Sequence, residues 1–356
     1  MKLFKCNNCG QLLFFENSRC ENCKYKLGFL PAKLELYPLV DENEELYSIY
    51  GNESVTRYRY CENHTYNVCN WLVSEINDSP FCLACSFNRT IPNISNDEYR
   101  KRWNTLENAK HRLIYTLLRL KLPLYNKNID EEKGLLFDFM ADEKGSEQRI
   151  LTGHDNGLIT INIAEADDIE REMARKSMDE VYRTVLGHFR HEVGHYYWDR
   201  IIDNTNNLNE FRTLFGDDRK DYGEALKEHY SKGAPADWNK EFISSYATTH
   251  PWEDWAETWA HYLHIIDTVE TAYSFGLSVH PVIAANATVL NADINIDPYQ
   301  AADFNTILSL WFPLTFALNS LNRSMGLRDL YPFVIPLKVI DKLLFIHNVC
   351  YTSRQN

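Results

Sequence analysis

Eight of the nine cysteines in this chain of 356 residues fall before residue 86, and six of those eight stand in C-x2-C pairs. Thiols at that density leave two main ways to build a small fold, disulfides or metal ions. The opening Met1-Lys2-Leu3-Phe4-Lys5-Cys6 lacks the long apolar stretch of a secretory signal. A cytoplasmic setting is therefore expected, and metal binding is the better reading of the pairs. Cys6, Cys9, Cys20 and Cys23 place two thiolates at each end of a short loop, the pattern that closes a tetrahedral zinc site. Cys61, Cys69, Cys82 and Cys85 form a second set with a single C-x2-C pair. His64 offers a rival Cys61-x2-His64 pair there, and four cysteines are preferred. Four protein ligands exclude water, so both sites are expected to be structural. Modules this small have little core, and zinc supplies much of their folding energy. Cys350 stands alone and reads as a buried small hydrophobe.

The remaining composition narrows the function class. Hydrophobic residues make up 44%, enough for a real core, and the net charge of −13 argues against a broad nucleic-acid surface. Basic residues near the start, such as Lys2, Lys5 and Arg19, read as ordinary solvated charges. No apolar run approaches the roughly 18 residues that span a membrane; Ser309 to Leu318 is interrupted by Pro313.

Along the chain, the acidic stretch Asp41 to Glu45 reads as a loop or linker between two metal modules. Ser95-Asn96-Asp97-Glu98 reads as a capping-box start to a helix with Trp103, Leu106, Leu113, Ile114 and Leu117 on its apolar face, closed by Pro123. Leu135 to Met140 is strand-like. After the turn signal Asp155-Asn156-Gly157, Leu158 to Ile163 alternates as a half-buried strand should. One long helical stretch is expected over about Asp168 to Arg200, a second from Pro251 to about Asp267, and a helical, apolar part from about Tyr299. The expected class is α+β: a zinc ribbon (1–35), a second zinc-binding module (36–94) and a zincin-like domain (95–356) with a small antiparallel sheet and a helical C-terminal part.

The chemistry concentrates in His191-Glu192-Val193-Gly194-His195. Residues four apart on an α-helix share a face about 6 Å apart along the axis, so both histidines can reach one metal ion. Glu192 then lies beside the open coordination position, where a carboxylate takes a proton from a zinc-activated water. The bland alternative is a surface helix with two histidines and a solvated glutamate. A metzincin extension would need Gly at 198 and His at 201; the chain has Trp198 and Ile201. Further on, Glu253, Glu257 and His261 repeat at four-residue spacing beside Trp252, Trp255 and Trp259. The gluzincin pattern, a downstream Glu ligand with an acidic residue four positions later, maps to Glu253 on the metal and Glu257 orienting a ligand histidine. The reverse assignment is the alternative, and Asp254 is a weaker candidate.

The run Phe189 to Trp198 resembles a bacterial family of zinc-binding metallopeptidases with N-terminal zinc ribbons. So do Ser245 to His264, Tyr60 to Trp71 and Asn322 to Leu327. The resemblance covers nearly the whole chain and implies a gluzincin-like peptidase domain, without a substrate. In gluzincins of the anthrax lethal factor type, a tyrosine upstream of the ligand glutamate stabilises the oxyanion; Tyr246 takes that place here. His250 is its rival and a candidate for the surroundings of the metal, as are His188 and His261. His111, His229 and His347 read as ordinary packed histidines. Leu158 to Ile163 reads either as an edge strand that binds substrate by strand addition or as an interior strand.

The leading expectation is a zinc endopeptidase or aminopeptidase with three zinc ions, one catalytic and two structural. It would act on a peptide or protein substrate, with a protein partner possible through the ribbons. The second is a catalytically silent adaptor on the same fold. The third, a ribbon that binds nucleic acid, is disfavoured by the acidic balance.

Overall fold

The computed structural model describes residues 2–43, 45–52, 55–142, 150–177, 184–282 and 288–354. They form two compact units, one of residues 1–119 with 124–171, the other of 120–123 with 172–356. No helix among the described residues is long and apolar enough to cross a membrane.

In the first unit, β1 (Phe4–Lys5) and β2 (Leu12–Leu13) form a hairpin beside the first cysteine pair. Five further strands make an antiparallel meander: β3 (Lys26–Leu30), β4 (Glu35–Asp41), β5 (Tyr47–Ile49), β6 (Tyr58–Tyr60) and β7 (Leu72–Ser74). The acidic stretch, expected as a loop or linker, falls at the connection between β4 and β5 of this sheet, with Glu44 outside the described residues. Asp41 ends β4, and the Glu42 N–H bonds the Leu46 carbonyl at 2.9 Å. The two cysteine sets are thus joined by continuous sheet. Phe15, Phe29, Trp71 and Tyr115 form an aromatic core, with Phe29 and Trp71 4.7 Å apart.

Helix α1 (Asp97–Leu120) is capped by Asn96, whose Oδ1 accepts from the N–H groups of Glu98 and Tyr99. Ser95, expected to cap, bonds Asn93 instead. The helix connects β8 (Asn88–Thr90) to its parallel neighbour β9 (Leu136–Met140), supplying the long crossover that parallel pairing requires. β10 (Gly153–Asp155) and β11 (Leu158–Asn162) form a hairpin. Asn156 and Gly157, at φ 46° and 83°, supply the two positive φ values of a type I′ turn. The order β10-β11-β9-β8 makes this sheet mixed and not purely antiparallel. It also places Leu158 to Asn162 inside the sheet, which overturns the edge-strand reading; β10 and β8 are the edges.

The expected single helix over Asp168 to Arg200 is two, α2 (Asp168–Ser177) and α3 (Val185–Ile201). The Thr184 hydroxyl accepts from the Gly187 N–H at 3.0 Å and starts α3 afresh. In the second unit α4 (Leu208–Phe215) and α5 (Tyr222–Lys232) follow, then α6 (Pro251–Phe275), α7 (Phe304–Ser324) and α8 (Leu337–Ser353). α7 continues through Pro313. α6 extends past the expected Asp267 because Ile265, Ile266 and Val269 stay fully buried, and Gly276 at φ 63° ends it.

α3 and α6 are buried almost all round, as helices at the centre of a bundle are. Gly194 lets them cross closely: a Cβ there would stand 3.0 Å from the Ala256 Cα. The Trp255 indole N–H donates to the Gly194 carbonyl at 2.8 Å across the crossing. This contact sets the face of α3 that carries the histidines against the face of α6 that carries Glu253 and Glu257.

Candidate metal centre

His191 and His195 project from one face of α3, and Glu253 meets them from the first turn of α6. The two Nε2 atoms lie 3.3 Å apart, and Glu253 Oε2 lies 3.1 Å from His191 Nε2 and 3.7 Å from His195 Nε2. Zinc bonds of about 2.0 Å to nitrogen and oxygen put tetrahedral ligands about 3.3 Å apart, so this triangle has the dimensions of one face around a single ion. Glu253 Oε2 is buried and accepts no hydrogen bond. His191 has its Nδ1 on Glu257 Oε1 at 2.7 Å, which turns its Nε2 toward the triangle. Lone pairs facing one another in a buried pocket require a cation or an added proton between them. The residues therefore fit the metal.

The electrostatics point the same way. Burial lowers the pKa of His191, but Glu253 and Glu257 outweigh it and hold the imidazole well above its ordinary value. Burial raises both glutamates, yet the charges of the histidines bring Glu253 well below the usual carboxylate range and Glu257 below it. The cluster attracts positive charge. A solvated surface helix is excluded, since Glu192 is 5% exposed and Glu253 2%.

Glu192 has its Oε1 3.3 Å from His188 Nε2, one turn earlier on α3. Burial pushes its pKa up, and His188 with the two other histidines brings it below normal, so it is held as a carboxylate. Tyr246 lies in a short turn before α6, its ring 6.2 Å from that of His191. Burial holds its phenol far above the usual range, so it remains an O–H donor.

The other histidines take different places. His250 caps α6, its Nδ1 accepting from the Trp252 N–H at 3.2 Å and its Nε2–H donating to the Lys220 carbonyl at 3.1 Å. Both ring nitrogens serve backbone, and its ring lies 5.5 Å from that of Tyr222. His261 bonds the Tyr331 hydroxyl at 2.8 Å and packs on Phe333, two turns beyond Glu253. Asp254 faces Lys342 on α8 at 2.6 Å.

The structure also adds a residue that the sequence did not suggest. The Tyr222 hydroxyl donates to Glu253 Oε1 at 2.8 Å from the first residue of α5. Nothing local marks it, because 31 residues separate the pair. His188, by contrast, is legible as the residue four before Glu192.

Both cysteine sets assemble. Cys6 and Cys23 lie 3.6 Å apart, Cys9 and Cys20 3.7 Å, and Cys69 and Cys82 3.7 Å. All are free thiols. Those separations are too long for disulfides at about 2.05 Å and match tetrahedral edges around zinc at about 2.3 Å from sulfur. The second set is four cysteines. His64 is held elsewhere, its Nδ1–H on the Cys69 carbonyl at 2.7 Å and its ring stacked on Tyr60 at 3.8 Å. His111, read as an ordinary packed histidine, lies 3.8 Å from Cys85 Sγ beside the fully buried Lys110–Glu107 pair. Cys350 is buried on α8, and burial pushes its thiol up to about 12.

A family model described as "Putative zinc-binding metallo-peptidase" matches residues 99–349. The chain belongs to this family. A second model, of a zinc-ribbon domain, matches residues 3–96. The family's zinc-binding description accords with the two four-cysteine clusters and with the His191, His195 and Glu253 group. Uncharacterized proteins of Mycobacterium bovis and of two strains of Mycobacterium tuberculosis are each 42% identical over 350 residues, covering 98% of this chain and 95% of theirs. No solved structure matches the chain.

Proposed function

We propose that the chain is a gluzincin-like zinc peptidase that hydrolyses peptide bonds at the α3–α6 crossing. The observation that carries this reading is the triangle of His191 Nε2, His195 Nε2 and Glu253 Oε2, with a buried acceptor lacking a hydrogen bond and Glu192 next on the same helix. Zinc held by these three residues would supply Lewis acidity and lower the pKa of water to about 7. Glu192 accepts the proton of the attacking water and passes it to the leaving amine. His188 steadies the Glu192 carboxylate, and Glu257 keeps His191 in the tautomer that presents Nε2. Tyr246 donates its hydroxyl to the developing oxyanion. The cysteine clusters take the second and third zinc ions as structural centres, and the ribbon unit offers a surface for a protein substrate or partner. A cytoplasmic location is part of this reading, since zinc-bound thiolates suit a compartment that keeps cysteines reduced.

Glu192→Gln tests the reading. The variant is expected to retain three zinc ions per chain by elemental analysis, one for each four-cysteine cluster and one for the His191, His195 and Glu253 group. Its hydrolysis of a peptide library is expected to fall by about 10²-fold or more, the scale of a lost general base. Undiminished cleavage by the variant would overturn the mechanism. A wild-type protein that binds three zinc ions and cleaves nothing would favour the silent adaptor.

A further inference from the structure

We infer that Tyr222 is a positioning residue for Glu253: it occupies one carboxylate oxygen and leaves the other as a single-oxygen ligand for the metal. The inference rests on the metal site proposed above. Glu253 is 2% exposed, so each of its oxygens needs a partner inside the protein. Oε1 has one, the Tyr222 hydroxyl at 2.8 Å. Oε2 accepts no hydrogen bond and faces the two histidine Nε2 atoms. The carboxylate is thus divided between a phenol and the metal pocket. A carboxylate free to rotate could offer both oxygens to the ion or swing away; one pinned by a donor offers a fixed lone pair.

The phenol is itself held. The Tyr222 ring packs near His250 and Trp252, on the first turn of the helix that carries Glu253. Asp221 caps α5 through the Glu224 N–H at 2.8 Å and fixes the backbone from which Tyr222 projects. No residue of α5 is fully buried, and Tyr222 itself is partly exposed. The helix therefore contributes more to the metal pocket than to packing.

The test is zinc affinity, measured by competition with a chromophoric chelator on the full-length protein, for wild type and Tyr222→Phe. The catalytic zinc of the variant is expected to bind about 10- to 100-fold more weakly, the usual effect of losing a partner behind a ligand. The two cysteine-bound zinc ions and the melting temperature of protein stripped of the weakest zinc are expected not to change. Equal affinity in the two proteins would overturn the inference, as would weakening spread over all three zinc ions. In a Glu253→Gln background Tyr222→Phe is expected to add no further loss, and an additive loss would also overturn it. If Tyr222→Phe does not fold, 3-fluorotyrosine at position 222 keeps the ring and hydroxyl and changes the donor strength. Zinc affinity identical to wild type would then count against the inference. A wild-type protein without a third zinc site would instead defeat the proposed function, so the two failures are distinguishable.

Discussion

A methyl group at position 194 would meet the Ala256 Cα at 3.0 Å and the Trp259 ring at 3.3 Å. The first of these is backbone and cannot rotate away. Gly194→Ala is therefore expected to destabilise the fold by about 1–3 kcal/mol through overpacking. It should also weaken zinc binding at the proposed metal centre, because separating α3 from α6 pulls the histidines from Glu253. Denaturant unfolding and zinc competition check both effects, and unchanged values would show that the crossing tolerates the methyl. Glu257→Gln removes the carboxylate from His191 Nδ1 and is expected to cost about 10- to 100-fold in affinity at that site only. A change in cysteine-bound zinc would contradict it. These roles differ in how far the sequence showed them. Two histidines and a glutamate within five residues are a local pattern, and helical geometry fixes their common face. The four-residue spacing from Glu253 to His261 shows a face as well, but not what it meets: Glu257 reached a histidine, and His261 met Tyr331 and Phe333. Tyr222 was invisible because its partner is distant in sequence.

At the scale of helices, α6 and α8 are joined by a buried polar pair. His347 accepts from the Tyr262 hydroxyl at Nδ1 (3.1 Å) and donates from Nε2 to the Ala301 carbonyl (3.1 Å). Those bonds define one neutral tautomer, and a second proton would break the first of them. Burial, aided by the charge of Arg354, lowers the pKa of His347 to about 4. The folded value lies below the unfolded one of about 6.5. Its stabilising contribution is thus fully present above pH 6.5 and is lost as pH falls toward 4, by roughly 3 kcal/mol. Thermal unfolding between pH 7 and 4.5 is expected to show a steeper acid loss in wild type than in His347→Gln. Metal-site protonation is common to both proteins and cancels in the comparison; parallel curves would refute the assignment. Helix identity was legible wherever a cap or a proline marked it, as at Pro251. The break before α3 was not, since a helix buried all round has no apolar stripe whose phase would reveal an interruption.

At the scale of the whole molecule, the two four-cysteine clusters and the His191, His195 and Glu253 group differ in how they are protected, and that difference orders their loss. The His191, His195 and Glu253 group has three protein ligands, and such a site keeps a position open to water or a chelator. The first cysteine set has four thiols, but Cys9 and Cys23 are only partly buried. In the second set all four are buried, with the Lys110–Glu107 pair and His111 around Cys85. The cysteine spacing showed that two such sites exist; it could not show their relative protection, because that depends on α1, which starts after the last cysteine of the set. A chromophoric chelator is therefore expected to draw zinc in three phases: the histidine site, then Cys6, Cys9, Cys20 and Cys23, then Cys61, Cys69, Cys82 and Cys85. The first phase should abolish any hydrolysis while circular dichroism stays constant, because α3 and α6 are held by packing around Trp255, Trp259 and Tyr262. The later phases should melt strand signal, since zinc carries much of the folding energy of a module with so small a core. Release in a single phase, or loss of structure in step with the first ion, would show that an ion at the histidine site supports the fold.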